Sequence, residues 1–292
     1  MAASLLSRQP SFHTRSNSFP SRRHPLTSQI DEHLCRVRSS RLASTSSSSI
    51  NNKLNDLQDL HECVNRLLQL PLTQQALAQE QYRNWGEAIL DGSLRLLDVC
   101  CISKDLLLQT KESTHELQSI LRRRGGEVSK CMATRKTIMK AINKAWENIK
   151  ATEAKSRFLS STDNESMAVV STLKEVESDT LSFFESLLSF MSGNRFQSKI
   201  KGWPLVSKLM QPKRIMFEES DSEVNEFQKV NTTLNSLVGH RSINFEKLKH
   251  SENLLNQLKD LELCIQDLED RLECLARHLF KTRVFLLNIL NH

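Results

Sequence analysis

The chain has 292 residues with a formal net charge of +6, and it contains seven cysteines, seven glycines and six prolines. The charge is concentrated at one end, because residues 1–49 carry seven arginines against two acidic residues. The nearly neutral remainder argues against nucleic acid as a partner. The cysteines show no C-x-x-C spacing, which argues against a zinc site or a disulfide framework, and no apolar run is long enough to span a membrane.

The first segment, residues 1–49, is predicted to be a disordered, basic tail rich in serine and arginine. Its first 25 residues contain three prolines and no apolar periodicity. A short helix is expected near 26–38, where apolar residues recur at helical spacing. The low-complexity stretch SSRLASTSSSS follows, and its last residue, Ser49, is the predicted N-cap of the next helix.

Within this tail, the stretch RSNSFP at 15–20 resembles the phosphoserine ligand of the 14-3-3 adaptor proteins. Arg15 lies three residues before Ser18, and Pro20 lies two residues after it. A phosphate on Ser18 would place about two negative charges near Arg15. Two other interpretations stay open, a chloroplast or mitochondrial transit peptide, which is also rich in serine and arginine, and an inert tail.

The body, residues 50–292, is predicted to be a bundle of long antiparallel helices. Apolar periodicity is sustained in stretches that are separated by proline, glycine or polar residues. The expected helices cover about 50–70, 88–124 (as one helix or two), 128–159 and 166–191. Residues 193–226 break the pattern and are predicted to be a connector with a basic half followed by an acidic half.

The stretch around residue 140 contains a basic face, because Lys136, Lys140 and Lys144 repeat at every fourth residue opposite an apolar stripe. Such a face is typical of a solvated helix surface, and it is also compatible with an anionic membrane surface. Trp146 falls on the apolar side and is expected to belong to the core.

The C-terminal segment from 244 to 279 has the strongest periodicity in the chain. Its apolar residues alternate at spacings of four and three, as at positions a and d of a heptad repeat. This coiled-coil-like seam consists of Leu254, Leu258, Leu261, Ile265, Leu268, Leu272, Leu275 and Leu279. Since the earlier helices also have apolar faces to cover, we expect the seam to pack within the chain and the protein to be a monomer rather than a dimer.

Chemistry-bearing motifs do not emerge from the sequence. The stretch HECVN at 61–65 begins like a zinc-protease motif, but Asn65 stands where the second histidine is required. Gly125–Gly126 precedes a helix without the lysine and serine or threonine of a phosphate loop. We therefore expect no catalytic residues, no metal, no cofactor and no enzymatic activity.

Five stretches in order resemble one plant-specific family, known as domain of unknown function 241 and grouped with the Bypass-type proteins of root and shoot development. They are SFHTRSNSFPSRRHP, LLQLPLTQQALAQ, ILDGSLRLLDVCC, ELQSILRRRGGE and GWPLVSKLM. The resemblance implies a plant source and an all-helical fold, and it supplies no catalytic residues. The expectation is a cytoplasmic interaction or regulatory factor in development. The alternatives are a peripheral membrane or phospho-regulated signalling adaptor, and an organelle-targeted helical protein.

Overall fold

The computed structural model describes residues 24–39, 46–79, 83–123, 128–160, 168–193, 225–239 and 244–291. Within these ranges the chain is all-α and forms eight helices. They are α1 (Pro25–Ser39), α2 (Ser47–Leu68), α3 (Pro71–Leu77), α4 (Arg83–Arg122), α5 (Val128–Ser160), α6 (Ala168–Met191), α7 (Glu226–Gly239) and α8 (Asn244–Leu290). The all-α bundle predicted from the sequence is confirmed.

The helix ends follow local sequence signals. Helix α2 begins after Ser46, whose hydroxyl accepts the backbone N–H of Ser49 at 3.3 Å, so the predicted N-cap at Ser49 is wrong by three residues. Helix α2 ends at Leu68, shortly before Pro71. Pro71 occupies the first turn of α3, where no intrahelical hydrogen bond requires its missing N–H. Gly193 follows α6 with φ of +70°, a conformation that glycine adopts readily.

The two longest of the described helices are α4 and α8. The apolar stretches predicted as one helix or two form the single 40-residue helix α4. Helix α8 has 47 residues, a length of about 70 Å, and it continues past the predicted end at residue 279. These two helices pack against each other, and none of the described helices is long and apolar enough to cross a bilayer.

Helix α8 provides the centre of the core. All eight residues of the predicted seam are buried, and α8 packs against α2, α4 and α7 of the same chain. Two ion pairs between residues four positions apart also form along α8, with Arg271 Nε at 2.9 Å from Asp267 and Arg277 Nε at 3.4 Å from Glu273. The seam therefore lies inside one chain.

Helix α1 occupies the region where a short helix was predicted near 26–38. Its residues Ile30, Leu34 and Val37 are buried, and it packs on α2 and α6. This part of the segment predicted to be tail is therefore attached to the bundle. Most of the predicted connector at 193–226 lies outside the described residues.

Candidate functional site

The phospho-docking residues predicted from the sequence, Arg15, Ser18 and Pro20, lie outside the described residues. The seam residues of α8 lie in the core. Four other features of the described bundle combine polar or charged groups. They are a buried cluster around His61, a set of contacts along α4 and α8, the outer face of α5 and an ion-pair group between α1 and α6.

The buried cluster begins with His61 on α2. Its Nε2 lies 3.0 Å from Thr180 Oγ1 on α6. The Thr180 hydroxyl donates its single proton to the carbonyl of Val176 at 2.7 Å, so the histidine must be the donor through Nε2. Burial lowers the pKa of His61 to about 3, with a smaller contribution from His278, and the ring is neutral at physiological pH.

Asn65, one helical turn after His61, extends the cluster to α8. Its Nδ2 donates to the carbonyl of His278 at 3.1 Å, and its Oδ1 accepts the hydroxyl of Thr282 at 2.8 Å. His61 and Asn65 of the HECVN stretch therefore join α2 to α6 and to α8. The sequence placed His61 and Asn65 one turn apart, but it gave no sign of partners more than a hundred residues away.

One cavity adjoins this cluster, and another lies between different helices. A cavity of about 30 Å³, enough for one water-sized group, is lined by His61 and Thr282 among mainly apolar residues. A larger cavity of about 180 Å³ lies between α4, α5 and α6, with walls that include Val99, Ile102, Ile149 and Leu181. The guanidinium of Arg95 at its rim is already held by Glu177 at 2.6 Å.

The buried thiols are in environments that suppress reactivity. Burial raises the pKa of Cys100 to about 12, and it raises the pKa of Cys264 to about 12 as well. Both side chains are therefore protonated at neutral pH, whereas a nucleophilic cysteine needs a lowered pKa. Among the described residues, no group of histidines, cysteines and carboxylates has the arrangement of a metal site.

Charged and polar side chains connect α4 to α8 beside the apolar seam. The pairs are Lys104 with Glu273, Lys111 with Glu269, and His115 with Glu262. The hydrogen bond from Lys104, together with its charge, lowers the pKa of Glu273. These contacts fix how α4 and α8 are aligned along their length.

Helix α5 presents the predicted basic face to solvent. Lys136, Lys140 and Lys144 are all exposed. On the other side of the helix, Trp146 packs against the core as expected, and the Lys150 ammonium lies 5.6 Å from its ring centroid. The three lysines therefore form a surface that is accessible to an anionic partner.

Helix α1 is joined to α6 by one arginine. Arg38 Nε lies 2.6 Å from Asp179, and Arg38 Nη2 lies 2.9 Å from Glu175. The Asp179 side chain is only 6% exposed, so this contact places a guanidinium on a buried carboxylate. The sequence gave no signal for the pairing, since 141 residues separate Arg38 from Asp179.

Comparison with known proteins identifies the family of this chain. The family model described as Protein BPS1 matches residues 53–289, which include α2 to α8 apart from the first six residues of α2 and the last residue of α8. Neither the comparison with curated proteins nor the comparison with solved structures finds a match. The match confirms the resemblance found in the sequence, and the chain belongs to the plant BPS1 family, which is the Bypass-related family of domain of unknown function 241.

Proposed function

We propose that this chain is a non-enzymatic interaction protein that acts as a regulatory factor in root and shoot development. Membership of the BPS1 family supports a role in plant development. One observation carries the molecular part of the proposal, which is that a group of polar side chains inside the described bundle joins α2 to α6 and α8. His61, Asn65 and Thr180 bond to each other's helices or to α8, and burial keeps the Cys100 thiol protonated.

The bundle is then a rigid support for segments and surfaces that bind other proteins. The first such segment is the stretch at 11–25, with Ser18 as phosphate acceptor, Arg15 as the kinase and charge determinant and Pro20 as the exit turn. Its partner is a 14-3-3 protein in the cytoplasm. A single phosphopeptide site binds with modest affinity, so tight binding requires a dimeric partner or a second site.

Affinity purification from plant tissue tests this proposal. The wild-type chain should capture a 14-3-3 protein, and phosphatase treatment or Ser18→Ala should abolish the capture. A synthetic peptide of residues 11–25 phosphorylated on Ser18 should bind at least about tenfold more tightly than the unmodified peptide, a difference of about 1.4 kcal/mol. Equal binding of both peptides would contradict the docking role, and a mature protein that begins after residue 40 would favour organelle targeting.

The exposed basic face of α5 supports a second candidate function, which is peripheral attachment to an anionic membrane. Lys136, Lys140 and Lys144 lie on one helix face, where three lysines near a membrane contribute about 1 kcal/mol each.

Pelleting with phosphatidylserine-containing liposomes tests this second function. Changing the three α5 lysines to glutamine should abolish pelleting. The matched control changes Lys229, Lys259 and Lys281 to glutamine, because these are also exposed but are not clustered. Lys229 lies on α7, and Lys259 and Lys281 are separated by about 33 Å along α8. Equal loss in both triple variants would show a nonspecific charge effect, and no pelleting of the wild type would contradict the membrane role.

A further inference from the structure

Helix α1 differs from the rest of the bundle in how it is attached. It lies before the matched range 53–289, and its 15 residues are few for a helix that is stable alone in water. Its order therefore depends on packing, which is provided by the burial of Ile30, Leu34 and Val37 against the bundle. A small change in its contacts can shift α1 between attached and detached states.

The polar part of this attachment is concentrated at the C-terminal end of α1. Arg38 donates to Asp179 at 2.6 Å and to Glu175 at 2.9 Å, and both carboxylates belong to α6. Hydrogen bonds between charged groups are stronger than those between neutral groups. Removing the guanidinium would leave a buried carboxylate without this counter-charge, which destabilises the folded state. Arg38 is therefore a fastening contact for α1.

Ser39 follows Arg38 directly and is the last residue of α1. Its side chain is exposed, and its hydroxyl donates to the carbonyl of Arg36 at 2.9 Å. Arg36 lies three residues before Ser39, and Arg38 lies one residue before it. Arginine at these positions is the pattern that basic-directed kinases select, so Ser39 combines access with a recognisable context.

We propose that Ser39 is a phosphorylation site and that its phosphate detaches α1 from α6. In the reaction, Ser39 Oγ forms a bond to the γ-phosphorus of ATP while the bond to the bridging oxygen of ADP breaks. The hydroxyl proton passes to the catalytic base of the kinase. The inference concerns the state of α1 and is independent of docking through Ser18.

Three physical effects of the phosphate act in the same direction. The phosphate places about two negative charges at the C-terminal end of a helix, where the helix dipole disfavours them. It competes with Glu175 and Asp179 for the neighbouring Arg38, and it repels both carboxylates. It also removes the hydroxyl proton that Ser39 donates to Arg36. Detachment uncovers the faces of α2 and α6 on which α1 packs.

Hydrogen exchange on the full-length chain tests the effect of the phosphate. Phosphoserine is incorporated site-specifically at position 39, and the matched control carries it at exposed Ser28, near the start of the same helix, where the dipole favours it. The amides of α1 should exchange at least about tenfold faster in the position-39 form, while those of α8 stay unchanged. Equal or slower exchange of α1 relative to the control would overturn the proposal.

The variant Arg38→Gln separates the contact from the modification. It removes the guanidinium without adding a phosphate, so it should also accelerate exchange in α1 and leave α8 unchanged. Unchanged exchange would show that Arg38 does not hold α1, which contradicts the mechanism.

Finally, a basic-directed kinase with ATP should phosphorylate the full-length chain at Ser39, as located by fragment mass spectrometry. Phosphate at Ser40 alone, or equal labelling of Ser39→Ala, would overturn the assignment of the site.

Discussion

His61 shows how a polar side chain can be both buried and inert. Its Nε2 donates to Thr180, while Nδ1 is buried without a hydrogen-bond partner among the described residues. An unmatched buried acceptor costs about 1–3 kcal/mol, and adding a proton to this ring would cost more. The neutral ring is therefore part of the folded state.

The stability of the protein should fall as the pH drops below 6.5. The unfolded chain binds a proton on His61 near pH 6.5, whereas the folded chain, with a pKa of about 3, does not. Protonation thus favours the unfolded state, and this group alone should remove about 2 kcal/mol of unfolding free energy between pH 7.5 and pH 5. Urea unfolding of wild type and His61→Gln at both pH values measures the difference, and parallel pH profiles would contradict it.

Two glycines of α4 provide a matched test of close packing. A Cβ on Gly92 would lie 2.3 Å from Glu177 Oε2, whose carboxylate is held by Arg95. A Cβ on Gly86 would meet the end of the Leu290 side chain at 2.8 Å, and that side chain can move.

Gly92→Ala should therefore lower the free energy of unfolding by about 1–2 kcal/mol, although alanine favours helices. Gly86→Ala should be less harmful or neutral, because the gain in helix propensity of about 1 kcal/mol offsets the shift of Leu290. Chemical denaturation of both variants measures the difference. A Gly92→Ala protein as stable as Gly86→Ala would show that Glu177 is free to move.

At the scale of the helices, the sequence predicted which residues of α8 are buried, but it did not identify the helices that cover them. The heptad spacing identified the seam of α8, because apolar residues at spacings of three and four share one face. The heptad spacing itself does not identify the partner, and the expectation that the seam packs within the chain came from the apolar faces of the earlier helices. The choice is encoded in pairs such as Lys111 with Glu269, which are 158 residues apart in the chain.

Helix boundaries depended on finer signals. Serines at 46–49 can all cap a helix, and Ser46 is the cap because α2 starts one turn earlier than its apolar pattern. The packing of α1 was not predicted because a short amphipathic segment after a polar tail has no local signal for attachment. Arg38 meets Asp179 only after α6 is in place.

Two aspartate substitutions on α8 test the position of the seam. Ile265 is fully buried, and Ile265→Asp should lower the free energy of unfolding by about 3 kcal/mol or more, because a charge would replace a core side chain. Leu263 is 71% exposed on the same helix, so Leu263→Asp should change stability by less than about 0.5 kcal/mol. Thermal or urea unfolding distinguishes them, and equal effects would contradict the orientation of α8.

At the scale of the whole molecule, the longest helix is surrounded by its own chain. Helix α8 packs on α2, α4 and α7, and the charged contacts with α4 follow the same interface. A seam that is covered in this way does not need a second chain. The protein is then expected to act as a single bundle that presents α1, the basic face of α5 and the N-terminal segment to its partners.

Sedimentation of the full-length chain tests this claim most directly. A self-contained seam predicts a single species at the monomer mass of 33.5 kDa over a wide range of concentration. The Ile265→Asp variant should then be less stable, without a change in its assembly. A dimer that Ile265→Asp converts into folded monomers would show instead that the seam lies between two chains.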